Sequence, residues 1–282
     1  MDFIITPSTA ILNHTDFPGF TNGEMYNESE LFNLIKEKSA QIAGEQIMPV
    51  VIPEAPKLLE IKDISAISWQ GSFGAKSYIL ERKEEYASDW VILGDSIDES
   101  KYQYRPLFND ETAEIGKRYF YRLRAKNETG ISGFSNIVGP VDVVSKKMVD
   151  EYENLDRVAE KNGELRLLTM ENIRKAKEDR SRLTGMNESF ISYILPNGSN
   201  EIKVEGFLAA NESDVKVFIS VDGTDYSELN LGKQVFEFDK NEYGFYPAAR
   251  YTAKINNENA KFVKIVLLGD VQLSRTEISY SK

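Results

Sequence analysis

The sequence predicts an all-β protein with two sandwiches in tandem, and three features point to it. Tyr119-Phe120-Tyr121-Arg122-Leu123-Arg124-Ala125-Lys126 alternates inward Tyr121, Leu123 and Ala125 with outward Arg122, Arg124 and Lys126, the period of two that a half-buried strand requires. Six more short runs of this kind fill residues 186–282, and closely spaced short strands pack as sandwiches. At 282 residues the chain is too long for one sandwich of roughly 100 residues.

Residues 1–48 read differently. Phe17-Pro18-Gly19-Phe20 is a turn with aromatic flanks. Asn27 suits a helix N-cap, with Glu30 in capping-box position. Leu31, Leu34, Ile35, Lys38 and Ile42 follow helical spacing, and Gly44 stands where a glycine ends a helix. One such amphipathic helix cannot bury its apolar face alone. Pro49, Pro53 and Pro56 then read as a semi-rigid linker.

The first sandwich is placed at residues 49–145. Leu58-Leu59-Glu60-Ile61 opens it, followed by Ile67-Ser68-Trp69-Gln70 and Ser77-Tyr78-Ile79-Leu80-Glu81. Asp89-Trp90-Val91-Ile92-Leu93 is expected as a central strand, and Gly139-Pro140-Val141 closes the domain. Residues 146–282 form the second, beginning with a charged, partly irregular segment over 146–185. Met148 to Tyr152 starts a strand there, while Glu164 to Arg182 is expected to be partly helical or looped. The six strands follow at Phe190–Leu195, Ile202–Phe207, Val215–Ser220, Arg250–Ile255, Phe262–Leu267 and Leu273–Ile278, with a tight turn at Asp222-Gly223.

Composition narrows function. A net charge of −11 argues against a nucleic-acid partner, which calls for clustered Lys and Arg. The absence of cysteine excludes disulfides, a thiolate nucleophile and Cys-based zinc sites. No run of about 18 apolar residues exists to span a membrane. Met1-Asp2-Phe3-Ile4-Ile5-Thr6-Pro7 lacks the basic and long apolar regions of a signal peptide.

Three resemblances add to this. The tryptophan strand at Trp69, the tyrosine strand at Tyr78 and the Tyr-x-Leu-x-Ala-x-Asn-x-x-Gly strand from Tyr121 to Gly130 resemble a fibronectin type III domain. His14-Thr15-Asp16-Phe17-Pro18-Gly19, the helix ending Ile42-Ala43-Gly44, Pro49 to Pro56 and Ile67 to Tyr78 follow in order over residues 10–140. That set resembles the C-terminal part of bacterial glycoside hydrolases of family 5, the β-mannanase-like group. Ser220-Val221-Asp222-Gly223-Thr224-Asp225-Tyr226, Phe262-Val263-Lys264-Ile265 and Gln272 to Ile278 resemble a discoidin or galactose-binding-like jelly roll.

The resemblances imply that residues 1–48 are the end of a missing (β/α)8 barrel, with that barrel and a mannan-like polysaccharide as partners. They also imply a secreted, cell-surface or periplasmic bacterial setting. A family 5 barrel needs two catalytic glutamates at strand ends. Asn27-Glu28, Asn127-Glu128, Asn187-Glu188 and Asn211-Glu212 instead fall in turns or caps. The expected function is therefore a non-catalytic accessory region: a spacer joined to a carbohydrate-binding module, with no catalytic residue. The alternative is an independent cell-surface or adhesion protein of two sandwiches, which the orphan helix disfavours.

Tyr243 and Tyr246, in the loop Lys240-Asn241-Glu242-Tyr243-Gly244-Phe245-Tyr246-Pro247, are the expected stacking platforms for pyranose rings, assisted by Arg250 and Asp222. Trp90 is a further candidate platform at a sheet edge. His14, the only histidine, has no nucleophile-elbow motif to serve. Asp150, Glu151, Glu153 and Asp156 are rich in oxygen ligands but fit no EF-hand loop, so a solvated charge run is expected there. No metal or cofactor is assigned.

Overall fold

The computed structural model describes residues 10–12, 24–26, 33–37, 51–102, 106–169, 174–176, 181–210, 212–237, 244–257 and 259–281. The chain divides into two compact units, Met1–Ile52 and Pro53–Lys282. In the first, β1 (Ala10–Leu12) and β2 (Glu24–Tyr26) pair antiparallel, with Ile11 opposite Met25. Three-residue strands hold too few alternations to register in a sequence, so this pair was not anticipated. Residues 33–37 are helical, with Leu34 and Ile35 half-buried and Asn33, Lys36 and Glu37 exposed. The expected cap at Asn27, the helix end at Gly44, the Phe17–Phe20 turn and His14 lie outside the described residues.

The second unit is all-β and contains two sandwiches, each with its own core. In the first, β3 (Lys57–Leu58) pairs with β4 (Trp69–Gln70). The facing sheet is built from β5 (Ser77–Glu84), β6 (Val91–Ile97), β7 (Arg118–Lys126) and β8 (Val138–Asp142), in the order β6-β5-β7-β8. Tyr119, Tyr121, Leu123 and Ala125 of β7 are buried, following the predicted alternation. Trp69 packs in the same core, its ring 5.2 Å from that of Tyr78.

Two expectations are corrected here. The strand after Trp90 is an edge strand rather than a central one, and Val91 and Ile92 are 55% and 56% exposed. A short apolar run cannot by itself distinguish edge from centre. Pro53 and Pro56 are buried, so this part of the expected linker packs against its neighbours, while Pro49 lies outside the described residues; the spacing of prolines fixes backbone stiffness but says nothing of what the rings touch.

On the outer face of β5 and β7, Glu81 is buried and accepts hydrogen bonds from Arg122 Nε at 2.7 Å and Arg124 Nη2 at 2.8 Å. The Arg122 guanidinium lies 4.1 Å from the Trp90 ring centre and 3.7 Å from that of Phe134, while Arg124 lies 4.6 Å from Phe134. Trp90 is therefore part of an alternating stack of rings and guanidinium planes. Phe134→Ala is expected to lower stability by about 1 kcal/mol through lost cation–π contact, measured by urea unfolding. An unchanged midpoint would count against the stack as a stabilising element.

The second sandwich comprises β9 (Lys146–Asp150), β10 (Glu160–Asn162), β11 (Leu165–Thr169), β12 (Ser181–Gly185), β13 (Phe190–Ile194) and β14 (Ser199–Leu208). It continues with β15 (Asp214–Ser220), β16 (Ser227–Glu228), β17 (Gly232–Phe236), β18 (Ala248–Lys254), β19 (Phe262–Leu268) and β20 (Val271–Tyr280). A five-stranded sheet runs β10-β13-β19-β15-β16. A seven-stranded one runs β11-β12-β20-β14-β18-β17, with β9 also on β20. Residues 146–185, expected to be partly irregular, contribute four strands, with a 3-10 helix at Arg174–Ala176 inside the stretch expected to be partly helical or looped. The adjacent leucines of β11 masked its period of two. At the register shift beside Gly206 the chains come so close that a Cβ there would stand 2.6 Å from the Gln272 carbonyl oxygen.

Asp150 also departs from expectation, being 4% exposed rather than solvated. Its carboxylate accepts the Tyr152 backbone N–H at 2.9 Å and the Tyr193 hydroxyl at 3.0 Å, and Tyr152 in turn contacts Thr276. Glu151 pairs with Arg275. A charge run at a strand end does not show which of its members the core encloses; here the adjacent Val149 and Asp150 are both buried. Burial raises the Asp150 pKa above its ordinary 3.8. The folded state thus holds this proton more tightly than the unfolded chain does. Its stabilising contribution is full below about pH 4 and is lost as pH rises through the elevated folded value. Asp150→Asn is expected to remove that loss: the melting temperature of the variant, relative to the parent, should rise between pH 4 and pH 7. A pH-independent difference in calorimetry would refute it.

The two sandwiches meet through a polar joint. Lys147 Nζ lies 2.8 Å from Asp63 and Arg157 Nη2 lies 2.7 Å from Glu111. Asn109 Nδ2 donates to the Lys147 carbonyl at 3.2 Å, and Lys146 donates to the Glu111 carbonyl. Ile115 packs against both cores.

Candidate functional site

The outer face of the five-stranded sheet is unusual in what it leaves toward water. Inward residues on β13, β15 and β19 are apolar and buried: Ile191, Tyr193, Val215, Val217, Ile219, Val263, Ile265 and Leu267. Their outward neighbours should be polar if that face were only solvated. Instead Phe190, Phe218 and Phe262 point outward, each half-buried, together with Lys264 and Val266. The ladder register aligns Glu160, Ser192, Lys264, Phe218 and Glu228 in one row across all five strands. Four strand spacings make that row about 19 Å long.

Lys264 sits at its centre. The ammonium lies 3.7 Å from the Tyr226 ring centre and 4.9 Å from that of Phe190. Attraction to the two ring faces holds it in place. Among the described residues no carboxylate is within ion-pair distance of it, whereas Lys216 nearby pairs with Glu228 at 3.2 Å. Its N–H groups are therefore available to an incoming oxygen.

Tyr226 is brought to this face by the turn after β15. Asp222 Oδ1 accepts the backbone N–H groups of Thr224 at 2.8 Å and Asp225 at 3.1 Å, and the Ser220 hydroxyl at 2.9 Å. Those N–H groups, Thr224 first, hold the Asp222 carboxyl far below the usual carboxylate range. Gly223 has φ +84°, and a Cβ on it would meet the Phe262 ring at 3.0 Å. Only glycine suits both the conformation and the close approach. Partial burial, then the charges of Glu160 and Asp222, push the Tyr226 phenol up.

Those of the residues singled out from sequence that are described, Trp90, Asp222, Tyr246 and Arg250, do not form one site. Asp222 belongs to the turn beside Lys264, where it shapes the loop that carries Tyr226. Arg250 is on β18 in the other sheet, its Nε 2.8 Å from Glu205 and its guanidinium 5.5 Å from the Phe236 ring. Tyr246 precedes β18, its backbone N–H bonded to the Lys175 carbonyl at 2.9 Å. That end of β18 adjoins the start of β20, whereas Asp222 adjoins the start of β19, so Tyr246 and Asp222 occupy opposite ends of the sandwich. Trp90 is in the first sandwich. Tyr243 lies outside the described residues.

Phe190, Phe218, Tyr226, Phe262 and Lys264 were not singled out as site residues. A signal for three of them was present: Phe190, Phe218 and Phe262 occupy alternate positions that a solvated face would fill with polar residues. A face that should be solvated but carries rings marks an interaction surface. Among the described residues no group of three His, Cys, Asp or Glu side chains is placed to hold a metal ion.

No protein-family model matches the sequence. Among solved structures, a family 6 carbohydrate-binding module from Clostridium stercorarium in complex with cellobiose is 13% identical, with a TM-score of 0.30 over 48% of this chain and 94% of its own. A β-1,3-glucan-binding family 6 module from Bacillus halodurans is 10% identical, with a TM-score of 0.29 over 49% of this chain and 95% of its own. A CBM51 module with INT domains from Clostridium perfringens ZmpB, in complex with GlcNAc, is 14% identical, with a TM-score of 0.28 over 79% of this chain and 45% of its own.

Proposed function

We propose that the second sandwich, residues 146–282, is a carbohydrate-binding module and that the first, fibronectin type III-like and spanning residues 49–145, is its spacer. Together they form the non-catalytic accessory region of a secreted or cell-surface polysaccharide-degrading enzyme. The observation that carries this reading is the ringed ammonium of Lys264 on an outward face that also carries Phe190, Phe218, Tyr226 and Phe262. Pyranose rings offer apolar C–H faces to aromatic side chains and hydroxyls to a charged donor. The sequence resemblance supports a family 5 glycoside hydrolase as parent, with residues 1–48 as the end of its barrel and a mannan-like polysaccharide as substrate.

Calorimetric titration with manno- and cello-oligosaccharides tests the reading. Binding with Kd on the order of 1 mM is expected, equivalent to about −4 kcal/mol. Phe190→Ala with Tyr226→Ala should abolish it, while Tyr246→Ala on the other sheet should not. No heat at high ligand concentration would overturn the proposal. Loss of binding with Tyr246→Ala alone would move the site to the loop before β18.

A further inference from the structure

Resting on the carbohydrate-binding reading, we infer that the ligand is a neutral oligosaccharide lying across the strands, along the row from Glu160 to Glu228. The row is not a uniform cationic strip. Its centre is the ammonium of Lys264, and its two ends are the exposed carboxylates of Glu160 and Glu228. A sugar hydroxyl both donates and accepts, so one neutral chain can accept from Lys264 and donate to the terminal carboxylates. An acidic sugar would gain from Lys264 but would meet Glu160 and the firmly ionised Asp222, while Glu228 is offset by its ion pair with Lys216. Between the polar groups stand Phe218 in the row and Phe190, Phe262 and Tyr226 beside it, all half-buried and able to meet ring faces.

Length argues in the same direction. A single sugar at Lys264 reaches the ammonium and the adjoining rings but neither end of a row of about 19 Å. Engaging Glu160 and Glu228 together takes a chain of several units. Affinity should therefore grow with chain length instead of being complete at the monosaccharide.

The experiment is calorimetry on the full chain with neutral manno- and cello-oligosaccharides from the monosaccharide to the hexasaccharide, beside oligogalacturonates of matched length. The neutral series should tighten at least about tenfold from mono- to tetrasaccharide, and the uronates should bind at least about tenfold more weakly. Glu160→Gln should weaken the neutral tetrasaccharide several-fold and should narrow the gap to the uronate. Uronates binding as tightly as neutral sugars would overturn the inference while leaving a carbohydrate-binding module standing. So would a monosaccharide binding as tightly as the longest chain. Failure of every saccharide in both series would overturn the underlying functional reading as well.

Discussion

Asp110→Ala is expected to destabilise the first sandwich by about 3–5 kcal/mol, the cost of breaking a buried ion pair on one side only. Asp110 is 1% exposed. Its two carboxylate oxygens accept from Arg82 Nη1 at 2.8 and 2.7 Å, and Oδ2 accepts the Tyr121 hydroxyl at 3.0 Å. Oδ1 also receives the backbone N–H groups of Thr112 and Ala113, each at 3.1 Å. The Arg82 guanidinium stacks on Tyr119 at 4.4 Å, so it cannot swing into water without giving up that contact. Alanine would leave a largely buried cation with only the Thr112 hydroxyl to donate to, and a fully buried phenol with no acceptor. Urea unfolding followed by tryptophan fluorescence reads the change directly, because Trp69 and Trp90 both lie in this sandwich. A loss below about 1 kcal/mol, the size of an exposed pair, would mean the network is relaxed or hydrated.

Gly223→Val should cost about 2–5 kcal/mol and weaken saccharide binding at least tenfold. The left-handed backbone contributes about 1–2 kcal/mol of this. Crowding of the Phe262 ring contributes a further 1–3 kcal/mol or so, typical of overpacking. Relief would come from opening the turn, which releases the Asp222 hydrogen bonds and carries Tyr226 away from Lys264. Gly223→Ala keeps the backbone penalty with less crowding and should fall between the two. If the valine variant unfolds like the parent and binds unchanged, the turn does not position the site.

The sandwiches were legible because their strands have one wet and one dry face. Tyr121, Leu123 and Ala125 against Arg122, Arg124 and Lys126 left no other reading. The lead-in segment was opaque for the opposite reason. Leu165, Leu167 and Leu168 have no clean period, and β9 and β10 are fixed by pairing with residues far along the chain. Asp150 with Thr276 and Glu160 with Ser192 are such pairs. Site residues suffered most from this. Tyr243 and Tyr246 drew attention by local density of rings, a one-dimensional cue. Phe190, Tyr226 and Lys264 are distant in sequence and converge only through sheet register, which a single sequence does not state.

The joint at Asp63–Lys147 and Glu111–Arg157 bears on how such a module would work at a surface. Two sandwiches on a slack tether would tumble independently, and capturing a polymer with one would leave the other free to reorient. With Ile115 shared between the cores and four polar contacts around it, the pair should share a single rotational correlation time. Holding the second sandwich on a fibre would then also fix the heading of the first. A first sandwich with a fixed heading stays over one stretch of the polymer, which raises its local concentration there.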